Sequence, residues 1–241
     1  MCGRYTLATF EDQLAEEFEL LKAEVIDQRY NIAPTQAAPV VRALAADDAF
    51  AGDGDRVGGN RRQLDLLRWG LVPSWAKDIS IGNRMINARC EGIESKPSFR
   101  TPIRRKRCLV PCTGYYEWKK VEGGTPSKPK KQPYYIRRRD ERVFALAGLW
   151  DRWGDPNGDV VETYSILTTS PNDLMKPLHH RMPVIVGADD YDLWLDPKVQ
   201  DIEPLRRLFE PYPDDEFVAF PVSKQVNSPS NDSPECIAPQ S

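Results

Sequence analysis

Apolar residues change their spacing along this chain, and the change predicts its elements. In residues 9–21, Phe10, Leu14, Phe18 and Leu21 recur on one helical face, with Thr9 as N-cap and Asp12 three residues on, so a short amphipathic helix is expected. "YNIAP" at 30–34 reads as a strand end or turn, and residues 40–44 read as a strand. From Leu64 onward the helical period gives way to short runs rich in β-branched and aromatic residues: "LDLLRWGLV", "RCLVPCTGYYEW", "QPYYIRRR", "VFALAGLW" and "ETYSILTTS". "SPNDLM" carries a helix-start signature, with Ser170 as N-cap, Pro171 first and Asp173 in the first turn. "DDYDLWL" and "EPLRRLFE" predict two further short helices.

Three stretches break this pattern. Residues 45–62 are rich in Ala, Gly and Asp without periodicity, residues 121–132 form a basic Gly- and Pro-containing segment, and the tail from about residue 227 is polar and turn-rich. The first two are expected as variable loops, the second mobile. Strand-like sequence resumes directly after residue 62, so no domain boundary is expected, and residues 1–241 are assigned to a single domain. The expected fold class is α+β: a β-rich domain of mostly antiparallel strands in a barrel-like arrangement with peripheral short helices.

Composition narrows the class. The chain has 241 residues, 40% hydrophobic and 29% charged, with a formal charge of −3. That is ordinary for a globular protein with a full core. Charge is uneven, however: residues 100–139 hold thirteen Lys or Arg against only Glu117 and Glu122. Such a stretch is either a localised polyanion site or a solvated basic surface. The longest apolar run, residues 143–150, is too short to cross a bilayer, and no signal peptide opens the chain. The five cysteines are odd in number and irregularly spaced, so free thiols in a reducing compartment are expected. No metal is expected: Cys108 and Cys112, four apart on a strand, would lie about 13 Å from one another.

The candidate chemistry starts at "MCGRY". Removal of Met1 would leave Cys2 with a thiol beside a free α-amine, whose pKa of about 7.7–8.0 leaves a useful neutral fraction. Such an amine forms a Schiff base with an aldehyde, and the thiol can then close a five-membered thiazolidine ring. The alternative is that Cys2 is merely a small residue of the first strand. Both histidines lie in "LHHRMPVIV", either a structural turn or an acid–base group poised near neutrality. Glu117 in "GYYEWKK" is either a desolvated proton shuttle or an ion-pair partner of Lys119 or Lys120. In "MINAR", Asn87 could orient an amine and Arg89 could grip a phosphate, and Arg4 brings charge close to Cys2. Trp75 and Trp69 could stack on unpaired bases, though Trp69 reads more as core.

Taken in order, "MCGRY", "RYNIAP", "RWGLVPSWA", "INARCE", "RKRCLVPCTGYYEW", "LAGLWDRW", "TTSPN", "LHHRMPVIV" and "VNSPSNDSPECI" resemble the SRAP family, the SOS response-associated peptidases, from Met1 to about Ile237. The resemblance implies a protein that binds abasic sites in single-stranded DNA and crosslinks to them through the N-terminal cysteine, with slow reversal and N-terminal autoproteolytic processing. By similarity, Cys2 would crosslink, Asn87 would hold the cysteine or the opened sugar, Glu117 would shuttle protons, and His179, rather than His180, would be the catalytic histidine of the H-x-R-x-P pattern. Arg4 and Arg89 would contact phosphate, Trp75 would lie near the strand, and Asn31 would line the pocket.

The expected partner is therefore single-stranded DNA with abasic sites, with no cofactor, no metal and no membrane. The expected state is a monomer, cytoplasmic in a prokaryote or nuclear in a eukaryote, of hydrolase, peptidase or lyase class. The rival is an N-terminal-nucleophile amidohydrolase or amidotransferase, in which the Cys2 thiol attacks an amide and its own amine acts as base. A further rival is a non-catalytic single-strand-binding module with a structural Cys2.

Overall fold

The computed structural model describes residues 2–20, 26–44, 62–125, 127–155 and 157–240. Along them run β1 (Tyr5–Leu7), α1 (Glu11–Phe18), β2 (Arg29–Ile32), β3 (Ala37–Ala43), β4 (Arg62–Trp69), β5 (Asn87–Arg89), α2 (Pro102–Arg105), β6 (Arg107–Cys112), β7 (Gly114–Thr125) and β8 (Lys128–Arg138). They continue with β9 (Phe144–Gly154), β10 (Val160–Thr169), β11 (Met182–Pro183), β12 (Ile185–Val186), α3 (Tyr191–Leu195) and β13 (Phe217–Pro221).

Five of these strands close a ring in the order β10-β4-β3-β6-β9, because β9 also pairs with β10 over seven register positions from Val160↔Gly154 to Ile166↔Gly148. Only β10 runs parallel to its neighbours β4 and β5; every other pairing between these strands is antiparallel. A second sheet, β13-β8-β7-β1-β2, packs beside the ring. Aromatic side chains join the two layers: Tyr5 of β1 meets Trp69 edge-on at 5.2 Å, and its hydroxyl lies 2.7 Å from that of Tyr164 on β10. Closure abolishes free edges in the ring, and it explains why β6 reads as the apolar run "CLVPC" behind Arg107, with every residue of the strand buried. The β-rich, mostly antiparallel barrel-like domain expected from the sequence is the observed fold.

Local expectations fare unevenly. Helix α1 is shorter than residues 9–21: Leu14 and Phe18 are buried, but Phe10 is 63% exposed and serves as N-cap. Glu19 turns left-handed at φ 49 and ends the helix; Leu21 lies outside the described residues. The predicted loop at 45–62 also lies largely outside them, but the strands that flank it pair as far as Ala43↔Arg62. Residues 121–132 are not a loop. Strands β7 and β8 run through them as a ribbon, with a register shift between Lys120 and Gly124.

"SPNDLM" forms tight turns rather than an α-helix. Asn172, not Ser170, caps them, its Oδ1 accepting from the Met175 N–H at 3.0 Å. "DDYDLWL" yields α3, and "EPLRRLFE" yields a 3-10 helix over Glu203–Phe209. The tail is not simply a solvated end: Val226 and Cys236 are buried against Tyr116 and Tyr135. All five cysteines are free and buried.

Gly114, at the start of β7, leaves room for one of these aromatics. A Cβ there would stand 2.3 Å from the Tyr135 ring, whose hydroxyl lies 2.9 Å from Thr6 Oγ1. Displacing a buried ring by one methyl costs about 1–3 kcal/mol. Gly114→Ala is expected to lower the unfolding free energy by about that amount in urea titration; an unchanged midpoint would show that the ring yields freely.

Candidate active site

Cys2 is fully buried just ahead of β1. Its carbonyl accepts a 2.8 Å hydrogen bond from Asn87 Nδ2, and its thiol lies 3.8 Å from the Arg4 carbonyl oxygen. Asn87 reaches it from the start of β5, which the parallel ladder Ile166↔Asn87, Leu167↔Ala88 and Thr168↔Arg89 fixes against β10. The other amide atom, Asn87 Oδ1, is buried without a hydrogen-bond partner among the described residues.

Glu117 comes from β7, opposite Tyr134 of β8, and is buried. Burial pushes its carboxyl above the usual carboxylate value. The Cys2 thiol is also raised, chiefly by burial and then by the Glu117 charge.

His179 ends the turn that Asn172 caps, its N–H donating to the Met175 carbonyl at 2.9 Å. Ring Nδ1 lies 3.1 Å from the Arg181 backbone nitrogen and 3.3 Å from its carbonyl oxygen. Burial pulls the imidazole pKa down to about 4, so the ring is uncharged near pH 7. His180 stacks beside it, ring centroids 4.2 Å apart.

Arg181 fixes the position of that turn. Its guanidinium grips both Glu91 carboxylate oxygens, at 2.5 and 2.8 Å, and donates to the Thr168 carbonyl at 2.5 Å. Strand β10 therefore positions both Asn87, through β5, and His179, through Arg181. Lys131 on β8 acts electrostatically on both Glu117 and His179. Cys2, Asn87, Glu117 and His179 thus share one neighbourhood.

The remaining sequence candidates divide into two groups. Arg4 donates to Asn31 Oδ1 at 2.8 Å and to the Val226 carbonyl at 2.7 Å. Asn31 is fully buried, and its Nδ2 lies within hydrogen-bond reach of the carbonyls of Val226, Ser228 and Asn231. Both side chains hold the C-terminal segment against the first strands. Asp232 completes this anchorage, accepting from the N–H groups of Tyr30 and Asn31 and pairing with Arg29.

Trp75 and Arg89, by contrast, face solvent. Trp75 is 57% exposed beside a surface hollow of about 600 Å³ that Lys77, Asp78 and Arg84 help to line. Trp69 is core, its indole N–H donating to the Ile86 carbonyl at 2.9 Å.

Sequence reasoning missed Glu91, Arg181 and Asp232. Glu91 and Arg181 stand inside the quoted "INARCE" and "LHHRMPVIV", so a charged pair flanked by apolar residues was the available signal. Asp232 stands inside the quoted "VNSPSNDSPECI", but its partners lie some 200 positions away in the chain, so its anchoring role was not readable there. Among the described residues no group of three or more His, Cys, Asp or Glu could hold a metal ion, and no helix is long and apolar enough to cross a membrane.

The chain matches the profile of the family described as SOS response associated peptidase (SRAP) over residues 1–229, and it belongs to that family. Among its relatives, abasic site processing protein YoqW of Bacillus subtilis (strain 168) is 41% identical over 240 residues, covering 98% of this chain and 99% of that protein. Abasic site processing protein HMCES of Gallus gallus is 33% identical over 235 residues, covering 87% of this chain and 66% of that protein. A crystal structure of a Bacteroides thetaiotaomicron protein, 28% identical, superposes with a TM-score of 0.80 over 99% of this chain and 100% of the other.

The protonation state of His179 is directly measurable. Its native pKa of about 4 lies below the value of about 6.5 for an unfolded histidine, so the unfolded chain binds this proton more readily. The stability this group contributes is full above about pH 6.5 and is lost as pH falls towards 4. An NMR titration of the His179 ring is expected to show a midpoint near 4; a midpoint at 6.5 or higher would contradict the burial argument.

Proposed function

We propose that this protein captures abasic sites in single-stranded DNA as a covalent thiazolidine on Cys2, once Met1 has been removed, shielding the lesion and releasing it slowly. Its relatives are named abasic site processing proteins. The observation that carries the reading is the hold of Asn87 on a fully buried Cys2 beside the Glu117 carboxylate.

An abasic deoxyribose opens to an aldehyde at C1. The neutral α-amine of Cys2 adds to that carbon, and the resulting carbinolamine loses one water to give an imine. The thiol then adds across the C=N bond: sulfur bonds to C1, and the thiol proton ends on nitrogen. The sum is aldehyde plus aminothiol giving thiazolidine plus water, with no oxidant or metal. Asn87 Nδ2 fixes the Cys2 backbone, and Asn87 Oδ1 remains as an acceptor for the amine or the sugar hydroxyl. Glu117, its carboxyl lifted towards neutrality by burial, takes and returns the amine proton. His179, kept neutral near pH 7 by burial, assists sugar opening and the reverse reaction. Arg89 and Trp75, exposed on the surface, meet phosphate and base. Arg4 and Asn31 act on the same strand by shaping the wall that they tie to the tail.

Burial also bears on the amidohydrolase alternative. An amidase nucleophile needs thiolate, and a thiol raised by burial and by a neighbouring carboxylate disfavours it. Ring closure on an imine already attached to the same residue is intramolecular and tolerates a protonated thiol. On this reading, peptidase activity is confined to processing of the N-terminus.

Mature protein incubated with an abasic single-stranded oligonucleotide is expected to give a denaturation-resistant conjugate whose intact mass is the sum of both components less one water. Cys2→Ala should abolish it, and Glu117→Gln should slow its formation by about 100-fold. An equal yield from Cys2→Ala would sink the proposal.

A further inference from the structure

The ribbon formed by β7 and β8 outgrows the sheet that carries it. Strand β1 pairs with β7 only at Tyr115 and Gly114, and β13 pairs with β8 only from Tyr134 to Arg138. Val222 and Asn227 still bond to the strands at Pro133, Gln132 and Trp118, and past the Lys119↔Gln132 pair the ladder continues out to Thr125↔Lys128. From Lys120 to Thr125 that extension is about 17 Å long, at roughly 3.3 Å per residue. From Lys120 outward most of it is exposed. A two-stranded ribbon with no covering layer buries little and adds little to stability.

Its charge is equally unbalanced. Lys120, Lys130 and Lys131 are exposed and Lys119 half-buried, with Glu122 as the carboxylate of the same ribbon. None of these lysines takes part in an ion pair among the described residues. The arginines at the base of the ribbon differ. Arg137 pairs with Glu141, Arg138 with Asp140 and Glu216, and Arg139 donates to the Asp215 carbonyl. Lys120 and Lys131 stand directly opposite each other in the ladder, a like-charge juxtaposition that weakens the hairpin until an anion lies between them. The ribbon leaves the sheet just past Glu117, which stands opposite Tyr134 at its base.

We infer that the β7–β8 ribbon is a phosphate-tracking arm, its lysines holding the backbone of the single strand that runs on from the reactive centre. The inference rests on the DNA-capture reading above and adds to it a site for the flanking nucleotides. An arm of this length spans several phosphates, and flexible point-charge lysines suit a sequence-independent hold on a mobile strand.

The test measures affinity across a salt series. Wild-type protein and the triple variant Lys120→Gln, Lys130→Gln, Lys131→Gln are titrated with single-stranded oligonucleotides carrying short or long flanks around one abasic site, from low to moderate salt. On the long oligonucleotide the variant should lose about 2 from the slope of log K against log salt, since each phosphate contact on a single strand contributes about 0.7. On the short oligonucleotide the slopes should differ far less, and the corresponding Lys→Arg triple variant should restore the long-oligonucleotide slope. Wild type that neither binds nor crosslinks abasic DNA would remove the capture reading and the arm with it. Wild type that binds, with a variant of equal slope on long flanks, would overturn the arm alone. Unfolding curves that coincide for all three proteins confine the effect to the removed charge.

Discussion

The parallel pairing of three residues, Asn87–Arg89 against Ile166–Thr168, is the constraint on which the site depends. Parallel neighbours cannot be joined by a tight turn, so β5 must be delivered to β10 by a long connection. The chain achieves this by sending β4 alongside β10 first and then looping through "GLVPSWAKD" before β5. Gly70 makes that departure possible: its φ is 120, and a Cβ there would stand 2.6 Å from the Gly82 carbonyl oxygen. Once β5 is seated, Asn87 lies under Cys2, Arg89 points outward, and the Thr168 carbonyl is left to receive Arg181. Shifting this ladder by one residue would turn Asn87 away from Cys2, because side chains alternate faces along a strand.

Burial does two things at once in this neighbourhood. It lifts the Glu117 carboxyl and the Cys2 thiol, and it lowers the His179 imidazole, so each of the three moves towards its neutral form. Groups shifted in that direction suit the passing of protons better than the holding of a fixed charge. The exposed cations, Arg89 and the ribbon's Lys120, Lys130 and Lys131 among them, stand at the margins of this neighbourhood.

Much of the scaffold was legible because strands buried on both faces write long apolar runs, as in "CLVPC" and "VFALAGLW". The helix at Phe10 was misjudged because periodicity assigns a face but cannot tell where a cap ends it. "SPNDLM" has good helix-start residues, yet the chain must reach the buried Met182 within a few positions, and tight turns cover that span where a helix does not. The basic segment at 121–132 looked like a loop because it has two glycines and two prolines; its strand character comes from pairing with itself, a non-local property that no window reveals. Cys2, Asn87, Glu117 and His179 were readable as types in distinctive surroundings. The inward turn of Arg4 and Asn31 was not, since their partners are main-chain carbonyls of residues 226–231.

Those carbonyls point to a division among the cations that the sequence could not express. Arginine offers a rigid fork of donors, and this fold uses it internally. Arg181 clamps Glu91, Arg42 bridges Asp65 and Glu162, and Arg107, buried and pulled down to about 10 by desolvation, donates to the carbonyls of Ile103, Trp194 and Asp196. Lysine, a hydrated point charge on a flexible stem, pairs elsewhere as Lys106 does with Asp151 and Lys176 with Asp173, while Lys120, Lys130 and Lys131 make no ion pair among the described residues. The thirteen basic residues between 100 and 139 are therefore not one basic face. Part of that charge holds strands and turns in place, while Arg100, Arg104 and Arg105 and the ribbon's Lys120, Lys130 and Lys131 stay exposed.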